Sequence, residues 1–343
     1  MTQDLLEVFQ SMDFSKDEGI ALNDRVLIID GMNTFIRSFA AIPTMDENGN
    51  HIGGVTGFLK SVGYVIRKFK PSRVYVIFDG KGGSKRRREI YPDYKSGRKP
   101  LTRLNRTYDM TTEQDEQDLM RYELVIVAKA LMKLPITTIT LDHVEADDII
   151  SYIAQHVVEN GGESIIYSTD KDFLQLVGDG IKVWNPVRKK TYIPETVLED
   201  YSIHPNNFLL YRALTGDTSD NLPGIKGLGM KTLLKIVPEF VTEQHLTFDD
   251  VIDAAENSKL KVASRIIDEQ ESIKLNIKLM SLRSVMISDN NKMKILNKIN
   301  RPQLSLHKYD LTKLLIETNI LPAMQNYDSW VVSTFNPLTR FDG

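Results

Sequence analysis

The sequence predicts an α/β fold with a mainly parallel central sheet flanked by helices. Two observations lead there. Short apolar runs that read as buried strands alternate with stretches of helical apolar spacing, the pattern of a parallel sheet covered by helices. Some of those runs also end in a carboxylate, as in VLIIDGMN and VYVIFDG. Residues at the carboxyl ends of parallel strands converge at one edge of the sheet.

Residues 1–24 read as an N-terminal extension, with Leu5, Phe9 and Met12 on a short apolar stripe. The first strand is expected over 25–29, an apolar run ending at Asp30-Gly31. A helix follows over 33–41, then a polar loop over 43–52. Val55, Phe58, Leu59, Val62 and Ile66 make 53–69 a helix that tolerates Gly57 and Gly63. A second buried strand is expected over 73–78. Residues 113–134 have helical periodicity and 136–141 are strand-like. Residues 147–159 read as a helix ended by Gly161-Gly162. A strand over 164–167 follows, then an edge hairpin of 181–184 with 191–193. From Pro205 the pattern is helical, broken by Pro and Gly turns. This divides the chain into an α/β region over 25–204, a helical region over 205–285 and a C-terminal extension over 286–343. The last stretch, SWVVSTFNPLTRFDG, reads as a strand or a docked tail.

A chain of 343 residues has room for one large or two modest domains. It contains no cysteine, which excludes disulfides, zinc–thiolate sites and thiol nucleophiles. No apolar run approaches the roughly 18 residues of a membrane span. The N-terminus lacks a basic start followed by an apolar stretch, so no secretory signal is expected, and a cytoplasmic location is. The formal charge of −3 is unevenly spread. Between Lys81 and Arg106, ten Lys or Arg residues face only Glu89 and Asp93, a net +8 that leaves −11 elsewhere. A basic segment beside an acidic pocket suits a metal-dependent enzyme acting on nucleic acid.

The acidic pocket is built from nine carboxylates in five clusters: Asp30; Asp79; Glu145, Asp147 and Asp148; Asp170 and Asp172; Asp217 and Asp220. Singly, each is weak. An Asp after a strand is often a helix cap or turn residue, Asp217 and Asp220 could be charges at a helix start, and Asp170 and Asp172 could solvate a loop. Together they are specific. Two unit charges about 4 Å apart near a protein surface repel by roughly 4 kcal/mol, so several such pairs require cations. Hard divalent ions such as Mg²⁺ or Mn²⁺ take oxygen ligands. No histidine is placed to complete the set, which disfavours zinc, and no Ser–His nucleophile system is visible. The pattern reads as a two-metal phosphoryl-transfer site that acidifies water.

Two further segments bear on substrate. Residues 216–232 read GDTSDNLPGIKGLGMKT. Gly224, Gly227 and Gly229 make a tight turn between helices, with Lys226 and Lys231 supplying charge. Such a turn is either a plain corner or a clamp that offers backbone N–H groups to phosphate. Residues 80–100 read GKGGSKRRREIYPDYKSGRKP. The run is either a solvated charge stretch or a binding element in which Pro92 opens a short helix. Tyr94, Lys95 and Arg98 would share one face of that helix, suited to stacking a base while cations hold phosphates.

In these residues the chain resembles the 5′-nuclease family, which includes flap endonucleases, bacteriophage 5′→3′ exonucleases and the nuclease domain of bacterial DNA polymerase I. The matching segments are IIDG, FDG, VEADD, STDKDFLQL and GDTSDNLPGIKGLGMKT, in the family's order, across residues 25–285. Arg87, Tyr94, Lys95 and Arg98 look like its R…YK..R helical gateway. The resemblance implies a PIN-like fold with a helical arch over about 81–112 and a helix–three-turn–helix that grips duplex backbone. It implies Asp30, Asp79, Glu145 and Asp147 around a first metal, with Asp170, Asp172, Asp217 and Asp220 serving a second or bridging both; Asp148 matches the motif beside them. The ions implied are two Mg²⁺, with Mn²⁺ able to substitute, and K⁺ at the glycine hairpin. Lys95 would contact the scissile phosphate, with Arg98 near it, and Tyr94 would stack on the nucleotide. Arg87 would bind nucleic acid, as would Gly224, Lys226, Gly227, Gly229, Lys231 and Thr232. The implied activity is 5′–3′ exonuclease or flap endonuclease cleavage of DNA ends, flaps or RNA primers in replication or repair. Implied partners are a single-strand-binding protein or a sliding clamp. No polymerase domain follows, so the chain resembles the free-standing viral enzymes. The alternatives are an inactive junction binder, which the complete acidic set opposes, and a PIN-like ribonuclease, which the glycine hairpin opposes.

Overall fold

The structure, a computed structural model, describes residues 24–97 and 113–340. The apolar run after Arg25 forms β1 (Arg25–Asp30), buried from Val26 onward. It pairs in parallel with β2 (Arg73–Ile77) on one side. Beyond β2 lies β3 (Thr137–Ile139), also parallel. On the other side β1 pairs in parallel with β4 (Glu163–Tyr167), which pairs with β5 (Ile181–Asn185). The antiparallel β6 (Lys190–Tyr192) closes that edge. The order is β3-β2-β1-β4-β5-β6. The chain builds outward from β1 to β3 and then restarts at β4 on the opposite side. The carboxyl ends of β1 and β4 therefore flank a switch point, where open α/β sheets form their crevice.

Alternation along the strands sorts the apolar side chains into two layers. Leu27 and Ile29 of β1 join a core with α1 (Gly31–Ala41) and α2 (Gly53–Phe69). The short α3 (Lys85–Ile90) sits in the basic segment, and α4 (Glu113–Leu131) returns to the same core as α1 and α2. Glu123 of α4 is buried and accepts from Val55 N (2.8 Å), serving one of the unpaired N–H groups at the start of α2.

Val26 and Ile28 face the other layer, against α5 (Ala146–Glu159). That core continues through a 3₁₀ turn (Asp172–Leu176), α6 (Pro194–Tyr201), α7 (Pro205–Thr215) and α8 (Met230–Ile236). It ends with α9 (Phe248–Glu256), α10 (Lys261–Asp268), α11 (Gln270–Met280) and α12 (Asp289–Asn300). The helical region thus shares one apolar core with a face of the sheet. Among the described residues, no helix is long and apolar enough to cross a membrane.

One expectation is corrected, and one is decided between its two alternatives, strand and docked tail. The helix read from Pro92 is a series of turns over 92–97, with Lys95 in the left-handed region at φ 57°. The helix of this segment lies earlier, at α3, because Tyr94 and Lys95 are pulled onto a neighbouring loop. The final stretch is not a strand. It docks as α14 (Tyr327–Thr339) after α13 (Lys308–Glu317). Val331, Phe335 and Leu338 recur at helical spacing and are buried in the α1–α2–α4 core. Trp330 lies over Gly63 of α2, where any side chain would meet the indole, and Arg67 Nη1 donates to Thr334 Oγ1 at 2.5 Å. Residues 1–23 of the N-terminal extension and residues 98–112 of the expected arch, Arg98 among them, lie outside the described residues.

Phe335 is fully buried, so Phe335→Ala is expected to cost about 3–5 kcal/mol. Urea unfolding of the full chain measures this; an unchanged midpoint would mean that α14 does not close the core.

Candidate functional site

Four of the nine predicted carboxylates meet at the switch point. Asp30 ends β1 and caps α1; its Oδ1 accepts from Asn33 N (3.0 Å) and its Oδ2 from Ser168 Oγ (2.9 Å). Asp79 follows β2, and its Oδ1 accepts from Ala146 N (2.9 Å) at the start of α5. Asp147 stands in the first turn of α5. Asp170 follows β4, and its Oδ1 accepts from Asp172 N (2.9 Å). All four line a cavity of about 910 Å³, together with Asn33, Thr169, Ser219 and Lys95.

The cavity resists negative charge. Burial raises the pKa of Asp30 to about 7, with Asp170 and Asp79 adding repulsion against the hydrogen bonds from Asn33 and Ser168. Burial and the charge of Asp170 hold Asp147 well above the usual carboxylate range. Burial also raises Asp170, and the charges of Asp220 and Asp217 add to it. Among the described residues, no three carboxylates or imidazoles converge as a finished metal cage. The donors are nevertheless all oxygens, and their charges crowd one another in a roomy pocket. That set fits hard divalent cations, which take several oxygen ligands and neutralise the repulsion.

Four of the remaining five carboxylates, Glu145, Asp148, Asp172 and Asp217, are tied to cations behind the cavity. Arg87 of α3 donates through Nη1 to Glu145 Oε2 (2.5 Å) and Asp148 Oδ2 (2.6 Å). Its Nη2 donates to Asp148 Oδ1 (2.9 Å) and its Nε to Leu279 O (2.9 Å). Only 4 % of Arg87 is exposed, so the expected nucleic-acid contact is corrected to an internal strut. Asp148, 1 % exposed and held by both Arg87 nitrogens, stands away from the cavity and is not placed as a metal ligand.

Tyr94 is corrected too. It is 4 % exposed and packs with Leu222, Leu279 and Met280, leaving no open face for a base. Its hydroxyl donates to Asp220 Oδ2 (3.0 Å) and Glu145 Oε2 (3.3 Å). Lys95 does reach the cavity. Its Nζ donates to Glu145 Oε1 (2.5 Å), and its backbone N to Asp220 O (2.9 Å). Burial works against the ammonium, but Glu145, Asp147 and Asp220 outweigh it and raise its pKa.

Arg212 of α7 is the cation that the sequence did not single out. Its Nε donates to Asp172 Oδ1 (2.8 Å), and its Nη2 pairs with Asp217 Oδ2. Burial and Asp170 raise Asp172 to about 7 against this pairing. Burial also opposes ionisation of Asp217, but the donors of Ser219 and the charge of Arg212 hold its pKa below the usual value. The one available signal was a lone Arg five residues before Asp217. Ser168 and Asn33 were likewise missed, although each borders a motif.

The glycine turn lies between α7 and α8 as expected. Gly227 takes φ 85°, a conformation that suits glycine, and Gly229 caps α8. Lys226 and Lys231 are exposed, and Lys226 O accepts from Arg265 Nη1 (2.6 Å).

Comparison with known families decides what this arrangement belongs to. A family model described as the 5′-3′ exonuclease N-terminal resolvase-like domain matches residues 25–202, and one described as the 5′-3′ exonuclease C-terminal SAM fold matches residues 203–300. The chain belongs to the 5′-3′ exonuclease family. It is 29% identical over 288 residues to the 5′-3′ exonuclease of Aquifex aeolicus, covering 84% of this chain and 91% of that protein. It is 30% identical over 259 residues to the flap endonuclease Xni of Shewanella denitrificans, covering 75% and 92%. The match to the thermostable DNA polymerase I of Thermus thermophilus, 32% over 253 residues, covers 74% of this chain but only 28% of the polymerase. A solved bacteriophage T5 flap endonuclease, in complex with DNA and metal ions, shares the fold at TM-score 0.61 and 21% identity, covering 85% of this chain and 98% of that one. The expected activity class of this 5′-3′ exonuclease, hydrolysis of DNA phosphodiester bonds, is the family's.

Arg87→Ala leaves Asp148 buried without its cation, while Glu145 keeps Lys95, and is expected to cost about 3–5 kcal/mol. Under conditions where the variant stays folded, the salt dependence of its DNA affinity should equal that of the unaltered chain. A shallower slope would restore Arg87 as a phosphate contact.

Proposed function

We propose that this 5′-3′ exonuclease is a two-metal enzyme that cuts DNA where a duplex meets a 5′ end, a flap or an RNA primer, in replication or repair. The observation that carries this reading is the convergence of Asp30, Asp79, Asp147 and Asp170 on one cavity at the switch point of the sheet. Two Mg²⁺ ions, or Mn²⁺ in their place, would supply an acidified water and neutralise the phosphate. Asp30, Asp79 and Asp147 hold one side of that site with Glu145 behind them. Asp170 holds the other side, supported by Asp172, Asp217 and Asp220.

Lys95 carries its charge at the cavity wall and meets the phosphate being cut, where charge builds in the transition state. Arg98 follows it in the chain and joins it in the proposal. Arg212 favours the ionised form of Asp217 and holds both Asp172 and Asp217 in place. The glycine turn grips duplex backbone through Gly224, Gly227, Gly229 and Thr232, with Lys226 and Lys231 facing phosphate. The K⁺ ion at that turn, and a single-strand-binding protein or sliding clamp as partner, belong to the same proposal.

Asp170→Asn is expected to lower cleavage in Mg²⁺ by about a thousandfold. Its DNA affinity in Ca²⁺ should be equal or tighter, since one charge that repels phosphate is gone. Normal turnover by this variant would remove Asp170 from the site.

The double variant Lys226→Ala/Lys231→Ala should bind duplex-containing substrate more weakly, with a log–log salt slope shallower by about 0.9 for each phosphate no longer neutralised. Its rate at saturating substrate should change little. If affinity and slope both stay the same, the turn is a structural corner.

A further inference from the structure

A second cationic feature lies outside the cavity and outside every motif described so far. A groove of about 530 Å³ runs between the edge strand β3 and helix α12. Lys294, Lys298 and Arg301 line one wall with Asn297, and Thr138 and Thr140 line the other. Lys294 and Lys298 fall at i and i+4 on the helix, and Arg301 follows as the residue that caps its C-terminus. Ile295 and Ile299, on a neighbouring side of α12, are held in the core, while the three cations are exposed. Among the described residues, none of the three makes an ion pair. A group of unmatched cations stands out on a chain that carries −11 outside its basic segment.

The groove is continuous with the foot of that basic segment. Its upper end, Thr140 and Leu141, lies beside Asp79 and Gly80: Thr140 Oγ1 donates to Asp79 O (3.3 Å), and Gly80 packs against the Leu141 carbonyl. The next residues are stitched across, with His143 N donating to Lys81 O (3.0 Å) and Lys81 N to Asp142 Oδ1 (3.2 Å). Asp79 also lines the cavity, so the groove begins beside the cavity's rim.

We propose that this groove is a track for the phosphodiester backbone of the single-stranded 5′ arm of the substrate. Lys294, Lys298 and Arg301 bind successive phosphates, and Asn297 with the two threonine hydroxyls offers hydrogen bonds to sugar or base. The proposal rests on the reading of this enzyme as acting at 5′ arms. It assigns a role to α12, at the end of the region matched by the family model.

The test uses the full chain carrying Lys294→Ala, Lys298→Ala and Arg301→Ala together, with affinity measured in Ca²⁺ over a range of salt. One substrate is a duplex with a long 5′ single-stranded arm, and the other is the same duplex without the arm. The track predicts about a tenfold loss of affinity for the armed substrate only. Its log–log salt slope should fall by about 2, from roughly 0.7 per phosphate on a single strand. Unchanged binding of both substrates, or an equal loss for both, overturns the track. Cleavage of both substrates by the unaltered chain in Mg²⁺ is measured alongside. If it cuts neither, the underlying reading fails and the track falls with it. If it cuts the armed substrate while the binding arms show no difference, only the track is overturned.

Discussion

Carboxylates crowded at the carboxyl edge of the sheet impose the constraint around which the molecule is assembled. Those behind the cavity are balanced by cations. Arg87 and Lys95 come from the basic segment to meet Glu145 and Asp148. Arg212 comes from the helical region to meet Asp172 and Asp217. The pairs therefore tie three regions together as well as neutralising charge. Asp30, Asp79, Asp147 and Asp170 are left facing the cavity, and burial combined with like charge raises the pKa of Asp30, Asp147 and Asp170.

This division of labour explains why the basic segment behaves differently from an exposed charge run. Half of its motif is internal. Arg87 and Tyr94 hold the segment against α5, α11 and the Asp220 loop, and Lys95 is presented to the cavity by the resulting turn. The left-handed backbone at Lys95 and the bond from its N–H to Asp220 O are two sides of one arrangement. The carboxylate loop and the cationic turn position each other.

The sheet and the acidic motifs were legible because each strand is a local apolar run and each motif sits at its end. Asp30 and Asp79 could be placed from a few residues of context. The fate of Arg87 could not, since its partners lie 58 and 61 residues away and nothing within KRRRE marks which Arg turns inward. Tyr94 was misread for a related reason: an aromatic among cations looks like a stacking platform until Leu222, Leu279 and Met280 are seen to cover it. Arg212 had only a neighbour relation to Asp217 to announce it. The helix at the C-terminus was ambiguous because Val331-Val332 suits a strand, whereas packing on α2 selects the spacing of Val331, Phe335 and Leu338.

The docking of α14 on α2 bears on how the chain matures. Strands and helices from the first third of the sequence share a core with residues 311–338, and the Arg67–Thr334 bond spans 267 positions. A polypeptide emerging from the ribosome can form the sheet with α5 on one face and α1, α2 and α4 on the other, but the side of α2 that meets Trp330 and Thr334 stays uncovered until α14 has appeared. Contacts of such long separation form slowly, and exposed apolar surface in an incomplete chain invites aggregation. Nascent chains arrested shortly before residue 330 should therefore be the most dependent on chaperones, although every motif of the cavity has already been synthesised.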